Sequence, residues 1–294
     1  NGHKVSLQDG NDRVYFLDVT DEKSGKIQAA DAIILESNGK YAMIDVGVRE
    51  KDQKNRIAKY LKDIGVQELE WILITHTHSD HYAGLSKVLD TVKVKNVYVK
   101  DISKGKSGRK NSYKTNIVNV IKNNARNKNI TKICDVKDSR YRNLTVGEIK
   151  IKLYNAATDN LQKKDSSNGE NVNSVTALAT VNGKKLYFAA DIVNDKKIKV
   201  NAENAAAKKV GKVDFYKVAH HSYSPNNDNE ALKYLKPKEC VVTNTIPSKK
   251  ASTKGAHDRV LKYVSKFNYT ASGTVILTIA EDGELLYNKL GEDK

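Results

Sequence analysis

Thr75-His76-Thr77-His78-Ser79-Asp80-His81 follows directly on the apolar run Trp71-Ile72-Leu73-Ile74. Imidazole and carboxylate are the donors that borderline cations such as zinc prefer, and this stretch offers His76, His78, Asp80 and His81. In an extended chain His76 and His78 point to one side, because side chains alternate with period two. Asp80 and His81 fall where the chain leaves the strand and can turn toward a second ion. One short segment can therefore begin two adjacent metal sites. An adventitious His-rich surface tract is a poor alternative. The chain has seven His, and five of them lie in this segment or in the pair His220-His221.

Further donors sit at the ends of strand-like runs. Leu186-Tyr187-Phe188-Ala189-Ala190-Asp191 is apolar until its terminal carboxylate, whose two oxygens can bridge two ions. Phe215-Tyr216-Lys217-Val218-Ala219-His220-His221 ends in paired imidazoles. Both are candidate ligands. Adjacent residues on a strand face opposite ways, so one is expected on metal and the other on a hydrogen bond or on substrate. Asp45, in Ile44-Asp45-Val46-Gly47, is expected to hold the His segment by hydrogen bonds. His257 reads as a residue near the start of the last helix.

Asn38-Gly39, Asn182-Gly183 and Asp282-Gly283 each separate two apolar runs and predict hairpins. Helical spacing covers 52–64, with Gly65 as its stop. Further helices are expected from Tyr82 to Leu89, through Ile117-Val118-Ile121, and over 195–209, 229–235 and 257–267. Val213 to Ala219 reads as a strand, and the Lys-, Ser- and Gly-rich residues 101–112 read as a loop. Hairpins open each half and strand–helix alternation follows, which predicts an α/β fold of two packed mixed sheets with helices outside.

Of the 294 residues 39% are apolar, enough for a packed core. No run approaches the length of a membrane-spanning helix, so membrane insertion of this chain is not expected. The sequence opens on Asn1, compatible with a secretory leader removed upstream. Lys and Arg number 51 against 35 Asp and Glu, a formal net charge of +16. That balance fits attraction to a polyanion, either nucleic acid or a phosphate-rich wall polymer; it equally fits a solvated Lys-rich surface. Only eight of the cations are Arg, which argues against base reading by bidentate contacts. Cys134 and Cys240 lack CxxC spacing and read as small buried hydrophobes, with a disulfide between them left open.

Thr75 to His81 resembles the HxHxDH signature of the metallo-β-lactamase superfamily. Ile44-Asp45-Val46-Gly47, Ala190-Asp191 and His220-His221 follow in that family's order. The resemblance implies the four-layer αββα fold, as a single domain over 1–294 with a core of about 13–290. Two branches look closest: the catalytic module of bacterial teichoic-acid phosphorylcholine esterase, and the metallo-β-lactamase domain of competence DNA-uptake proteins. Many superfamily members carry a further His before the bridging Asp. Here no His occurs between His81 and His220, and Asn171, Asn173 and Ser174 stand in that region. The resemblance thus implies two unequal sites. Asp191 and the His220-His221 pair complete the one holding Asp80 and His81. The one holding His76 and His78 is weaker, finished by water or Asn, with Asn171 and Asn173 as supporting residues. The aromatic choline-binding repeats of the esterase are absent, and Tyr82 and Tyr223 are the candidates for stacking on a substrate cation.

The expected function is that of a metal-dependent hydrolase, a two-metal phosphodiesterase acting on an anionic phosphate substrate such as teichoic acid. Zinc is the expected metal and manganese the alternative. Asp80 and His221 are the candidate catalytic residues, Asp80 by orienting water. One alternative is a competence-type nuclease, with Lys104 to Lys110 along a DNA backbone. Another is a binding module whose degraded metal site no longer catalyses. The two branches imply an extracellular or cell-surface location.

Overall fold

The computed structural model describes residues 7–19, 29–49, 56–161, 165–244 and 251–288. Runs rich in β-branched and aromatic residues form its strands. The first six are β1 (Asp12–Phe16), β2 (Ala32–Ser37), β3 (Lys40–Val46), β4 (Glu68–Ile74), β5 (Lys93–Val99) and β6 (Lys132–Asp135). Next come β7 (Asn143–Val146), β8 (Ile149–Tyr154), β9 (Thr176–Val181) and β10 (Lys184–Phe188), then a two-residue ladder of β11 (Asn194–Asp195) and β12 (Val200–Asn201). The chain closes with β13 (Phe215–Lys217), β14 (Glu239–Val242), β15 (Lys266–Tyr269), β16 (Val275–Ile279) and β17 (Leu285–Tyr287).

Among the described residues the strands build two large mixed sheets, ordered β17-β16-β1-β2-β3-β4-β5-β6 and β15-β14-β13-β10-β9-β8-β7. Asn38-Gly39 and Asn182-Gly183 both turn with positive φ (49° and 74° in each), as a two-residue hairpin loop requires. In each sheet one half is parallel: β3 to β6 in the first, and β10, β13, β14 and β15 in the second. Parallel strands end together, so their carboxyl ends make one rim per sheet, where sites in α/β sheets form.

The inner faces meet in a dry core that includes Phe16, Leu73, Phe188 and Phe215. The outer face of the first sheet packs Ile72 and Ile74 against Leu61, Leu85 and Leu89 from helices Arg56–Asp63 and Leu85–Thr91. The outer face of the second packs Tyr187 and Tyr216 against Ala206, Leu232 and Val260 from helices Ala202–Val210, Asn229–Leu235 and Ala251–Leu261. This is the expected four-layer αββα arrangement. Cys134 and Cys240 are buried and free, one in each sheet.

Four local expectations change. The helix expected over 195–209 begins only at Ala202, because the Asp195 carboxylate accepts the backbone N–H groups of Lys197 and Ile198 and closes a turn. Residues 107–113 are helical where composition reads as loop, tied down by buried Tyr113 and by Arg109. The last helix is Ala251–Leu261, and Phe267 lies in β15. The strand expected over 213–219 is only Phe215–Lys217, and His220 and His221 sit beyond it in a tight turn.

Gly84 lets the segment after the His cluster dock on β3. A Cβ there would lie 2.0 Å from the Val46 carbonyl oxygen. Gly84→Ala is expected to lower stability by about 1–3 kcal/mol, the usual cost of forcing atoms into a packed contact. A urea denaturation midpoint equal to that of the native chain would contradict this reading of the contact.

Candidate metal centre

β4 ends at Ile74, and the chain is caught at once by Asp45 at the end of β3. Thr75 donates its backbone N–H to Asp45 Oδ1 at 2.8 Å and its hydroxyl to Asp45 Oδ2 at 2.7 Å. His81 Nδ1 lies 2.6 Å from the same Oδ2. A carboxylate only accepts, so Nδ1 of His81 carries a proton, and Nε2 is the nitrogen left to face a cation. His76 reaches the same state through a relay: its Nδ1 lies 3.0 Å from Thr75 Oγ1, whose one proton is given to Asp45. Asp45 is thus the support expected from the sequence, and it orients two imidazoles at once.

The second sheet supplies the facing groups. Asp191 follows β10 and is 1% exposed. Its Oδ2 stands 3.1 Å from His81 Nε2 and 3.5 Å from His76 Nε2, and its Oδ1 stands 3.6 Å from His221 Nε2. Asp80 Oδ2 lies 3.2 Å from His221 Nε2 and 3.5 Å from His81 Nε2. Two ligand groups result, Asp80-His81-Asp191-His221 and His76-His78-Asp191, each with donor atoms within 4.8 Å of one another. Asp191 belongs to both. Nε2 of His76, Nε2 of His81 and Oδ1 of Asp191 are buried with no hydrogen-bond partner. Buried polar atoms are rarely left so, and lone pairs of this kind fit a cation.

His220 and His221 separate as expected, but by a turn and not by strand alternation. His220, His221 and Ser222 all have left-handed φ, 49°, 51° and 68°. Such a backbone costs about 1–3 kcal/mol per residue and persists because it is fastened. His220 N–H donates to the Ala190 carbonyl at 2.8 Å, and Asn244 Nδ2 donates to that of His221 at 3.0 Å. The turn brings His221 into the ligand group. His220 Nδ1 meets Asn226 Oδ1 at 2.9 Å, and its Nε2 stays 3.7 Å from Asp191, outside both groups.

Segment 169–175 is pinned beside the smaller group. The Val175 N–H donates to the Thr75 carbonyl and the Asp191 N–H to Ser174 Oγ. Gly169 has φ +55°, and a Cβ on it would lie 3.3 Å from His78 Nε2. Asn171 is buried there with its Oδ1 unpartnered. Asn173 does not support the imidazoles: its amide nitrogen donates to Asp159 and Glu170, and its oxygen accepts from the Asn160 N–H. Tyr223 packs its ring 5.5 Å from that of His220, at the site. Tyr82 instead faces a separate cavity of about 410 Å³ with Arg49, Lys87 and Asn116, its hydroxyl accepting from Asn116. It follows His81 in a helix, so the two side chains diverge.

Sequence reading missed Asp31, Thr243 and Lys217. Asp31 stands just before β2, 3.4 Å from His221 Nδ1 and 3.8 Å from His81 Nδ1. The only signal was a polar residue at each mouth of an apolar run, Asp31 before Ala32-Ile33-Ile34-Leu35 and Thr243 after Cys240-Val241-Val242.

The electrostatics divide the imidazoles. Burial, then the neighbouring His81, pushes His76 down to about 4. Burial also works against charge on His221, but Asp191 and Asp31 reverse it and raise the group to about 9. His81 rises well above its usual value, against burial, through Asp191 and Asp45. Burial opposes charge on Asp191 too, yet His81 and His221 hold it well below the carboxylate range.

The family model described as metallo-β-lactamase superfamily matches residues 27–113, a segment that contains Asp31, Asp45 and the whole His cluster. The chain has the metallo-β-lactamase fold. The sequence match to that superfamily is confined to residues 27–113, and the two-sheet architecture is that of its fold. Among solved structures, the metallo-β-lactamase fold protein YhfI from Bacillus subtilis superposes with a TM-score of 0.53 at 11% identity, over 95% of this chain and 100% of that one. A variant of the β-hydroxylase CmlA gives 0.54 at 14%, over 92% of this chain and 55% of that one. No curated protein sequence matches the chain. The chain thus superposes on part of a protein that is a β-hydroxylase, and a shared fold does not fix a reaction.

Because His221 holds a proton up to about pH 9, a cation must displace it from Nε2. Zinc affinity is expected to rise between pH 6 and 8, with protons released on binding. Calorimetry in two buffers of different ionisation enthalpy counts those protons. Affinity independent of pH over this range would contradict the assignment.

Proposed function

We propose that the protein is a two-metal phosphodiesterase of the metallo-β-lactamase fold, taking zinc, or manganese in its place, and acting on an anionic phosphate substrate. The observation that carries this reading is Asp191, shared between two ligand groups in which Nε2 of His76 and Nε2 of His81 have no hydrogen-bond partner. Bound cations would lower the pKa of water and offset charge on the phosphate oxygens.

The residues of this chain have separable tasks. His76, His78, His81, His221, Asp80 and Asp191 are the metal ligands. Asp80 is the exposed carboxylate of the cluster, its side chain 31% exposed against 1% for Asp191. It is therefore the one that can meet water at the mouth and orient it by accepting a hydrogen bond. His220 stands 3.7 Å from Asp191, its side chain 27% exposed. Asn226 donates both its amide protons to the Asp191 and Ile192 carbonyls, so its oxygen faces His220 and fixes the proton on Nδ1. His220 Nε2 is then free to take up or deliver a proton at a leaving oxygen. Tyr223, against the His220 ring, can flank a cationic headgroup.

The net charge of +16 supports a phosphate substrate, and the resemblance to phosphorylcholine esterase supports a teichoic-acid-like polymer at the cell surface. The nuclease reading loses part of its basis. Lys106 pairs with Asp165, and Arg109 with Asp159 and Glu170, so these cations of the 104–110 segment are already engaged.

A panel of bis-nitrophenyl phosphate, nitrophenyl-phosphorylcholine, single- and double-stranded DNA and a lactone tests the reading. Phosphodiester turnover with added zinc or manganese is expected. Asp191→Ala and His78→Ala should each fall below about one hundredth of the native rate, since both cut into the cation chemistry. Metal-loaded protein that cleaves no phosphodiester would rule the reading out, and would favour a binding module.

A further inference from the structure

Asp31 lies behind the metal centre, on the side away from Asp191. With Asp45 and His81 it forms a third cluster of donor atoms within 4.8 Å. That cluster already contains a cation. The ammonium of Lys217, from β13, donates to Asp31 Oδ2 at 2.5 Å, and both side chains are buried, 0% and 1% exposed. Burying such a pair is tolerable only when the remaining lone pairs are also satisfied. Asp31 Oδ1 accepts the Thr243 hydroxyl at 2.6 Å. Thr243, at the carboxyl end of β14, lies 2.9 Å from His221 Nδ1.

The direction of each bond follows. Asp31 only accepts, so the one proton of Thr243 is given to it, and Thr243 Oγ1 must accept from His221. Nδ1 of His221 therefore keeps its proton, and Nε2, facing Asp80 and Asp191, is the nitrogen that can ligate a cation once its own proton is displaced. The arrangement repeats that on the other sheet, where Thr75 passes His76 to Asp45. Each sheet thus orients one imidazole through a threonine hydroxyl backed by a buried aspartate, and on the second sheet Lys217 anchors that aspartate.

We propose that Thr243 and Asp31 are positioning residues for the metal centre: they fix the ring and tautomer of His221 through a hydroxyl relay held in place by Lys217. The inference rests on the metal-binding part of the function proposed above and is independent of which substrate is cleaved. An outer hydrogen bond of this kind typically contributes a factor of about 10–100 in metal affinity.

Thr243→Val removes the hydroxyl at nearly constant shape, and Thr243→Ser keeps it. Zinc affinity and the visible spectrum of the cobalt-substituted protein are measured on both, with thermal melting in chelator as the check on the fold. Val is expected to weaken zinc binding about 10–100-fold and to alter the cobalt bands, because His221 is no longer held. Ser is expected to restore both. Should the Val variant not fold, Thr243→Ala removes the same hydroxyl without adding bulk. A folded Val or Ala variant with native zinc affinity and native cobalt bands overturns the relay. Native protein that takes up no zinc or cobalt overturns the metal reading itself, and the relay with it.

Discussion

Asp191 is a buried charge that the fold cannot leave uncompensated. It hangs from the rim of the second sheet, 1% exposed, and the imidazoles nearest it come from both sheets. An isolated carboxylate at such a depth is strongly penalised unless opposite charge or a metal faces it. Everything at the rim serves that requirement. His76 and His81 are brought from the first sheet by the break after β4, and His221 from the second by three consecutive left-handed residues after β13. Parallel halves with aligned carboxyl ends let both sheets deliver ligands to one spot.

The supporting residues show a common design on the two sides. Asp45 and Asp31 are both buried carboxylates, each receives a threonine hydroxyl, and each lies behind an imidazole. The difference is in what balances them. Asp45 is met by His81 directly, while Asp31 is met by Lys217. The two ligand groups also differ, four residues against three, with Gly169 packed on His78 at the smaller one. As candidate cation sites the two groups are therefore unequal in their donor sets.

Much of this was legible in the sequence, for local reasons. The His cluster, the hairpins at Asn38-Gly39 and Asn182-Gly183, and the apolar run ending in Asp191 are each contained in a few residues. What could not be read joins residues far apart. Lys217 and Asp31 are separated by 186 positions and Thr243 and Asp31 by 212, and no periodicity in one strand announces a partner in another sheet. The choice between His220 and His221 was out of reach for a different reason. Strand alternation governs only extended residues, and these two lie in a left-handed turn held by Ala190 and Asn244. Helix Ser107–Tyr113 also escaped, since its Lys-, Ser- and Gly-rich composition favours loop and tertiary contacts of Arg109 and Tyr113 overrule it.

The central claim is that one carboxylate organises two unequal cation sites. A cobalt titration of the metal-free chain, followed by absorption, tests it directly when run beside Asp191→Asn and His78→Ala. The account predicts two steps of different affinity in the native chain, loss of only the weaker in His78→Ala, and disruption of both in Asp191→Asn. A single step in the native chain, or two intact steps in Asp191→Asn, would contradict it.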